Sequence, residues 1–138
     1  MPRTEMLAVA RSQLGNALMR VTDWLRMMEL TKMVRENLWV VKCTDREDDD
    51  VPQLREEYMA GHLSHLEAIV DHIAMAGPLK DPSGSRIVGS LLAYRTDDLE
   101  QAKAWLDGDP YARCGIWADI EWSRLVLAAG SLVGGVTW

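Results

Sequence analysis

The sequence predicts an α+β domain with the element order β-α-β-β-α-β, preceded by an amphipathic helix. Three observations carry this. Helical periodicity is confined to residues 5 to 35, residues 52 to 71 and a short stretch after Asp97. Between these lie short runs rich in β-branched and aromatic residues, each about one strand long. The breaks fall at turn chemistry, in Asp81-Pro82-Ser83-Gly84 and Asp109-Pro110-Tyr111. A chain of 138 residues is enough for one ordinary core and too short for two.

Leu7, Leu14, Val21 and Met28 recur every seven residues, with Ala10, Ala17 and Trp24 on the alternate seam. This heptad-like stripe predicts a helix packed on its own domain or on a partner chain. Everything after Met33 reads as a complete domain, which makes Met33 an alternative start. The expected organisation is a helical extension, 1–36, before a domain of residues 37–138. Leu38 to Cys43 is a strand by composition, and Thr44 to Asp50 is an acidic loop, read as a solvated charge run. The second helix has Pro52 in its first turn and Asp50 as a candidate cap. With Tyr58 at zero and about 100° per residue, Leu54, Met59, Leu63, Leu66, Ile69 and Val70 share its apolar arc. His62 falls inside that arc at about 40°, and His65 and His72 lie on its edge.

Ile73 to Met75 is a short strand ending at Ala76-Gly77-Pro78. Ile87 to Tyr94 is another, with Gly89 as a bulge or close-approach point. Asp97-Asp98-Leu99-Glu100 opens a short helix as a capping box; Leu99, Ala102 and Leu106 form its inner stripe and Gly108 ends it. Asp109-Pro110-Tyr111 then forces a turn, Ile116 to Trp122 is the last strand, and a Gly-rich apolar tail runs from Leu127 to Trp138. The order is that of a ferredoxin-like split βαβ fold, an antiparallel four-stranded sheet with both helices on one face. The other face is left partly apolar, so dimerisation, the N-terminal helix or both should cover it. Light scattering that gave only a single 15.5 kDa chain would reject self-association.

Composition narrows the function. A net charge of −6 without a basic stripe argues against a nucleic-acid partner. No apolar run approaches the roughly 20 residues of a membrane span. The N-terminus lacks the apolar block and small-residue cleavage site of a signal peptide, so a cytoplasmic protein is expected. Cys43 and Cys114 form no CxxC pair and are expected as two reduced thiols. Six Trp and three Tyr with no Phe put most flat rings on a side chain with an N–H donor. Most of the Trp rings are therefore expected at the sheet face, a subunit contact or a pocket mouth.

Three segments resemble the YciI (YCII-related) family, over about residues 38 to 126. His62-Leu63-Ser64-His65-Leu66 is similar to the family's helical H-L-x-x-L. Ala76-Gly77-Pro78-Leu79 is followed by the Gly84 turn and Gly89-Ser90-Leu91-Leu92. Asp109-Pro110-Tyr111-Ala112-Arg113-Cys114-Gly115 resembles D-P-Y-x-x-x-G. Counting back from Gly77, His62 rather than His65 takes the family's histidine position. The resemblance implies a dimeric α+β barrel, a pocket with a His–Asp pair (His62 and Asp109), and lyase or isomerase chemistry on small cyclic or aromatic compounds.

The residues support that pair on their own terms. A histidine on an inward helix face needs a polar partner. Asp109 precedes a proline, which keeps its backbone out of helical geometry, and the loop after the second helix can bring it to the first. A carboxylate on one imidazole nitrogen fixes the tautomer and leaves the other nitrogen to move a proton, an effect typically worth 10²–10⁴-fold. The alternative is a satisfied core histidine and a turn aspartate. Arg55 and Arg113 either fork onto a substrate carboxylate or phenolate, or are solvated. Tyr111 and Trp105 either wall a pocket or pack in the core. Gly77-Pro78 is either a close backbone approach to a ligand or a tight turn. No metal is expected, because His62 points about 60° away from His65 on the wheel. The function expected is a cofactor-independent enzyme using His62 and Asp109 for elimination or isomerisation on a small ring. The alternative is a non-catalytic module for small-molecule binding or oligomeric assembly.

Overall fold

The computed structural model describes residues 20–25 and 36–138. The helix expected over residues 5 to 35 lies mostly outside the described residues; within them, 21–25 is helical. The described residues fall into two compact units, one of Asn37–Leu125 and one formed by the remainder.

The larger unit contains β1 (Asn37–Asp45), α1 (Val51–Ala68), a 3-10 turn (Val70–His72), β2 (Ile73–Lys80), β3 (Ile87–Tyr94), α2 (Leu99–Asp107), α3 (Pro110–Cys114) and β4 (Trp117–Val126). The strands form one sheet in the order β2-β3-β1-β4, with β3 antiparallel to both β1 and β2. This is the ferredoxin-like arrangement. Residues paired across strands share a face. Val41 pairs with Leu92, which pairs with Ala76, and Cys43 pairs with Ser90, which pairs with Pro78. Val41, Cys43, Leu92 and Tyr94 form the core with Ala102 and Leu106 of α2, Tyr111 of α3, Ile116 and Trp117. On the opposite face Lys42, Thr44 and Met75 are exposed.

Several local expectations change. β2 does not stop at Met75 but continues through Gly77 and Pro78 to Lys80. Proline is tolerated there because β2 is an edge strand, where a missing N–H need break no ladder. Asp45 is not in a solvated loop; it ends β1 and is only 7% exposed. Asp50 occupies the cap position of α1 without a side-chain cap bond, whereas Asp98 caps α2 by accepting from Glu100 N. Asp109-Pro110 opens a short helix rather than a bare turn: Asp109 is extended (φ −72°, ψ 129°) and its carboxylate caps Tyr111 N. Gly115, at φ 74°, closes that helix in the left-handed region glycine favours. Gly89 is a close-approach point, since a Cβ there would come within 2.2 Å of the Cys43 carbonyl oxygen.

Of the six tryptophans only Trp117 is buried; Trp39 and Trp122 lie half-buried on the sheet, and none reaches the pocket. Trp105 packs between His72 and Tyr94, at ring separations of 4.8 and 5.6 Å, and Trp122 lies 6.2 Å from Tyr94. Trp39 donates Nε1–H to the Asp97 carbonyl at 3.0 Å. These three half-buried rings flank the core around Tyr94. Trp117 is buried, its Nε1–H without a partner among the described residues.

In the second unit the tail is not featureless. It forms a small hairpin, β5 (Ala129–Gly130) and β6 (Gly135–Val136), around a 3-10 turn at Ser131–Val133. Thr137 closes it with backbone and side-chain bonds to the Ala128 carbonyl.

Candidate active site

α1 supplies two polar side chains to the site, Arg55 and His62. They are seven residues apart, so they lie two turns and about 10 Å apart along one side of the helix. α3 supplies Asp109 and Tyr111.

His62 Nδ1 lies 2.9 and 2.8 Å from Oδ1 and Oδ2 of Asp109. The carboxylate is fully enclosed and the imidazole side chain only 13% exposed. An ionised carboxylate can only accept, so Nδ1 carries a hydrogen, and in the neutral ring the lone pair is on Nε2. Asp109 Oδ1 also accepts from Tyr111 N at 2.9 Å, so the group that caps the helix also orients the imidazole. The Tyr111 ring stacks on His62 with centroids 4.1 Å apart, and its O–H donates to the Arg55 carbonyl at 3.0 Å. Burial pushes the Tyr111 phenol above its ordinary range, so it remains a donor.

Arg55 is 7% exposed. Its Nε and Nη2 donate to Asp45 Oδ2 and Oδ1 at 2.8 and 2.7 Å, and Nη2 also reaches the Gly89 carbonyl and Ser90 Oγ, both at 3.2 Å. Burial works against the charged guanidinium, but the hydrogen bonds and charge of Asp45 outweigh it and hold Arg55 charged.

Arg55, His62, Ser90 and Tyr111 line one pocket of about 280 Å³. Its remaining walls are apolar: Met59, Leu63 and Leu66 of α1, Ala76-Gly77-Pro78 of β2, and Ile87 and Leu92 of β3. This lies near the lower end of ligand-pocket sizes, roughly 300 Å³, and suits one small ring. Six of the seven residues expected at a site thus meet here: Arg55, His62, Gly77, Pro78, Tyr111 and, through His62, Asp109. Arg113 does not; it borders a separate depression with Glu57, Tyr58 and Pro110. No tryptophan lines the pocket, and Trp105 packs in the core instead. The other histidines are engaged elsewhere, His65 Nε2 donating to the Trp105 carbonyl at 2.7 Å and His72 stacking on the Trp105 ring. Among the described residues no three His, Cys, Asp or Glu side chains converge as a metal site.

Asp45 and Ser90 were missed by sequence reasoning, although a signal existed. On the same helical wheel Arg55 falls about 20° from His62, inside the apolar arc, where a guanidinium requires a buried carboxylate. Asp45 continues the alternation Val41, Cys43 and so is in phase to provide it.

Cys43 and Cys114 are free thiols. Burial first, then the charges of Asp109 and Asp45, push Cys43 up to about 12 from an ordinary 9.0. The folded state therefore favours the neutral thiol, and this contribution is complete below pH 9 and is lost as pH rises toward 12. Stability measured by urea unfolding should fall above pH 9 by about 1.4 kcal/mol per pH unit from this group. Cys43→Ala should flatten that limb; an unchanged slope in the variant would refute the assignment.

Among the described residues no helix is long and apolar enough to cross a membrane. The YCII-related domain model matches residues 37–125. The chain is 29% identical over 91 residues to Protein YciI of Escherichia coli, covering 61% of this chain and 91% of that protein. It is also 29% identical over 93 residues to the xenovulene A biosynthesis cluster protein asL2 of Sarocladium schorii, covering 59% of this chain and 79% of that one. Among solved structures, the 5-chloro-2-hydroxyhydroquinone dehydrochlorinase TftG of Burkholderia phenoliruptrix, in complex with 2,5-dihydroxybenzoquinone, shares the fold. It superposes with a TM-score of 0.54 at 21% identity, covering 68% of this chain and 96% of that one. With the family model spanning residues 37–125, which include all but the last residue of the four-stranded sheet and the helices α1 and α3 that carry the polar side chains of the site, this chain belongs to the YCII-related family.

Proposed function

We propose that this chain is a small-molecule enzyme in which His62 transfers a proton and Asp109 holds it in position, catalysing elimination or isomerisation on a small hydroxylated ring. The observation that carries the reading is the imidazole at the pocket wall, with Nδ1 bonded to an enclosed carboxylate, which leaves Nε2 as the nitrogen that can exchange a proton. The Nε2 lone pair accepts a proton from the substrate. The electron pair left behind either expels a leaving group, which departs as its anion, or shifts along the conjugated system, which then regains the proton from the imidazolium. Both need only proton transfer, so the reading is cofactor-independent. Asp109 offsets the charge the ring acquires, and Tyr111 fixes the ring plane. Gly77 and Pro78 line the same pocket. The name of asL2 and the reaction of the Burkholderia enzyme support small-molecule chemistry. Self-association over the face that exposes Lys42, Thr44 and Met75 belongs to the same reading.

The test incubates the chain with 5-chloro-2-hydroxyhydroquinone and with unsaturated lactones, following chloride release and absorbance. His62→Asn should lower turnover by roughly 10²–10⁴-fold with ligand binding retained. If the parent turns none of them over and both proteins bind them equally, the enzyme reading fails and the non-catalytic binding module replaces it.

A further inference from the structure

The dyad leaves the other polar wall of the pocket unexplained. A guanidinium presents five N–H donors in a planar fork. In Arg55 the Nε/Nη2 edge is filled by Asp45, and Nη2 also meets the Gly89 carbonyl and Ser90 Oγ. Nη1 has no hydrogen-bond partner among the described residues. It is not sealed either, because the fully enclosed side-chain polar atoms left without a partner are Tyr94 Oη and Trp117 Nε1. Asp45 lines a different depression, beside Arg46 and Glu47, whereas Arg55 lines the pocket. The guanidinium thus has its Nε/Nη2 edge on a buried carboxylate, belongs to a side chain that lines the pocket, and keeps Nη1 as a spare donor.

We infer that the pocket takes a ring-sized monoanion, whose negative oxygen is received by Arg55, and that Asp45 is the positioning residue that presents Arg55 to it. This rests on the same pocket being a ligand site, and it adds the charge and direction of the ligand. The anionic oxygen, a carboxylate, enolate or phenolate, sits at the Arg55 end and the group that exchanges a proton sits at His62. The Tyr111 ring connects the two ends, 4.1 Å from the His62 ring and 5.1 Å from Arg55 Cζ. Apolar side chains fill the remaining walls, so a second negative group would find no cation.

Benzoate and its neutral analogue benzamide test this by calorimetric titration of the full chain. The parent should bind benzoate at least tenfold more tightly than benzamide. Asp45→Asn and Arg55→Lys should each reduce that ratio to below threefold while benzamide affinity stays put, since the first loosens the fork and the second keeps the charge without the fork. Thermal melting identifies any variant that is unfolded; if Asp45→Asn is, Arg55→Lys decides. The ratio is read from binding alone, without turnover, which separates this outcome from failure of the catalytic reading. Equal affinity for the two probes, no binding of either, or a full ratio in the folded variants would overturn the inference.

Discussion

Asp109→Asn should lower turnover by roughly 10²–10⁴-fold while leaving benzoate affinity and most of the stability in place. The substitution preserves shape, and the amide oxygen can still accept from Tyr111 N, the bond Asp109 now makes at 2.9 Å. What changes is the other half of the group. An amide nitrogen in the place of Oδ2, 2.8 Å from Nδ1, donates where the carboxylate accepted and favours the tautomer in which Nδ1 accepts and the ring hydrogen sits on Nε2. A nitrogen already carrying its hydrogen cannot take one from the substrate. Nitrogen-15 spectra of the imidazole should show this tautomer exchange in the same sample that has lost activity. Unaltered turnover would remove Asp109 from the mechanism. A lost cap alone could not imitate the result, because capping defects cost about 1 kcal/mol of stability and leave the tautomer untouched.

Asp45→Ala should have the largest effect on folding. It strands the Arg55 guanidinium, 7% exposed, with only the Gly89 carbonyl and Ser90 Oγ for company. Breaking a buried pair in this way costs about 3–5 kcal/mol, a large share of the roughly 5–15 kcal/mol that holds a domain together. The urea midpoint should fall with little change in slope. Replacing both partners, Asp45→Val with Arg55→Met, should recover most of the loss, because an apolar pair of similar volume removes the desolvation penalty. The double variant should nevertheless lose its preference for benzoate. A single variant within 1 kcal/mol of the parent would mean that water already reaches the guanidinium.

What the sequence made legible follows physical range. Strand composition located β1 and β3, and helical periodicity placed His62 on the inner face of α1, because these are properties of neighbours along the chain. Asp109 was legible through the proline after it. Arg113 was not, because Asp109-Pro110 starts a helix, and nearly one further turn carries Arg113 round to the depression beside Glu57. Asp45 was hidden in an acidic run whose other members are solvated; only its phase with Val41 and Cys43 marked it as inward. The tryptophans lie at the sheet and the core margin and not at the pocket, because an indole can satisfy its donor at the edge of a core, as Trp39 does on the Asp97 carbonyl, without meeting a ligand.

The pocket is built in two layers that differ in their tolerance of change. His62, Asp109, Tyr111, Arg55 and Asp45 form a buried, mutually bonded block. The rim, in contrast, is Met59, Leu63 and Ile87, which are 47, 50 and 37% exposed. Substitutions at exposed positions usually shift stability by no more than about 0.5 kcal/mol. Divergent descendants of this chain can therefore acquire new pocket shapes by single steps at the rim, each neutral to folding, while the buried block passes on intact. A newly acquired reaction type would require several simultaneous changes within that block.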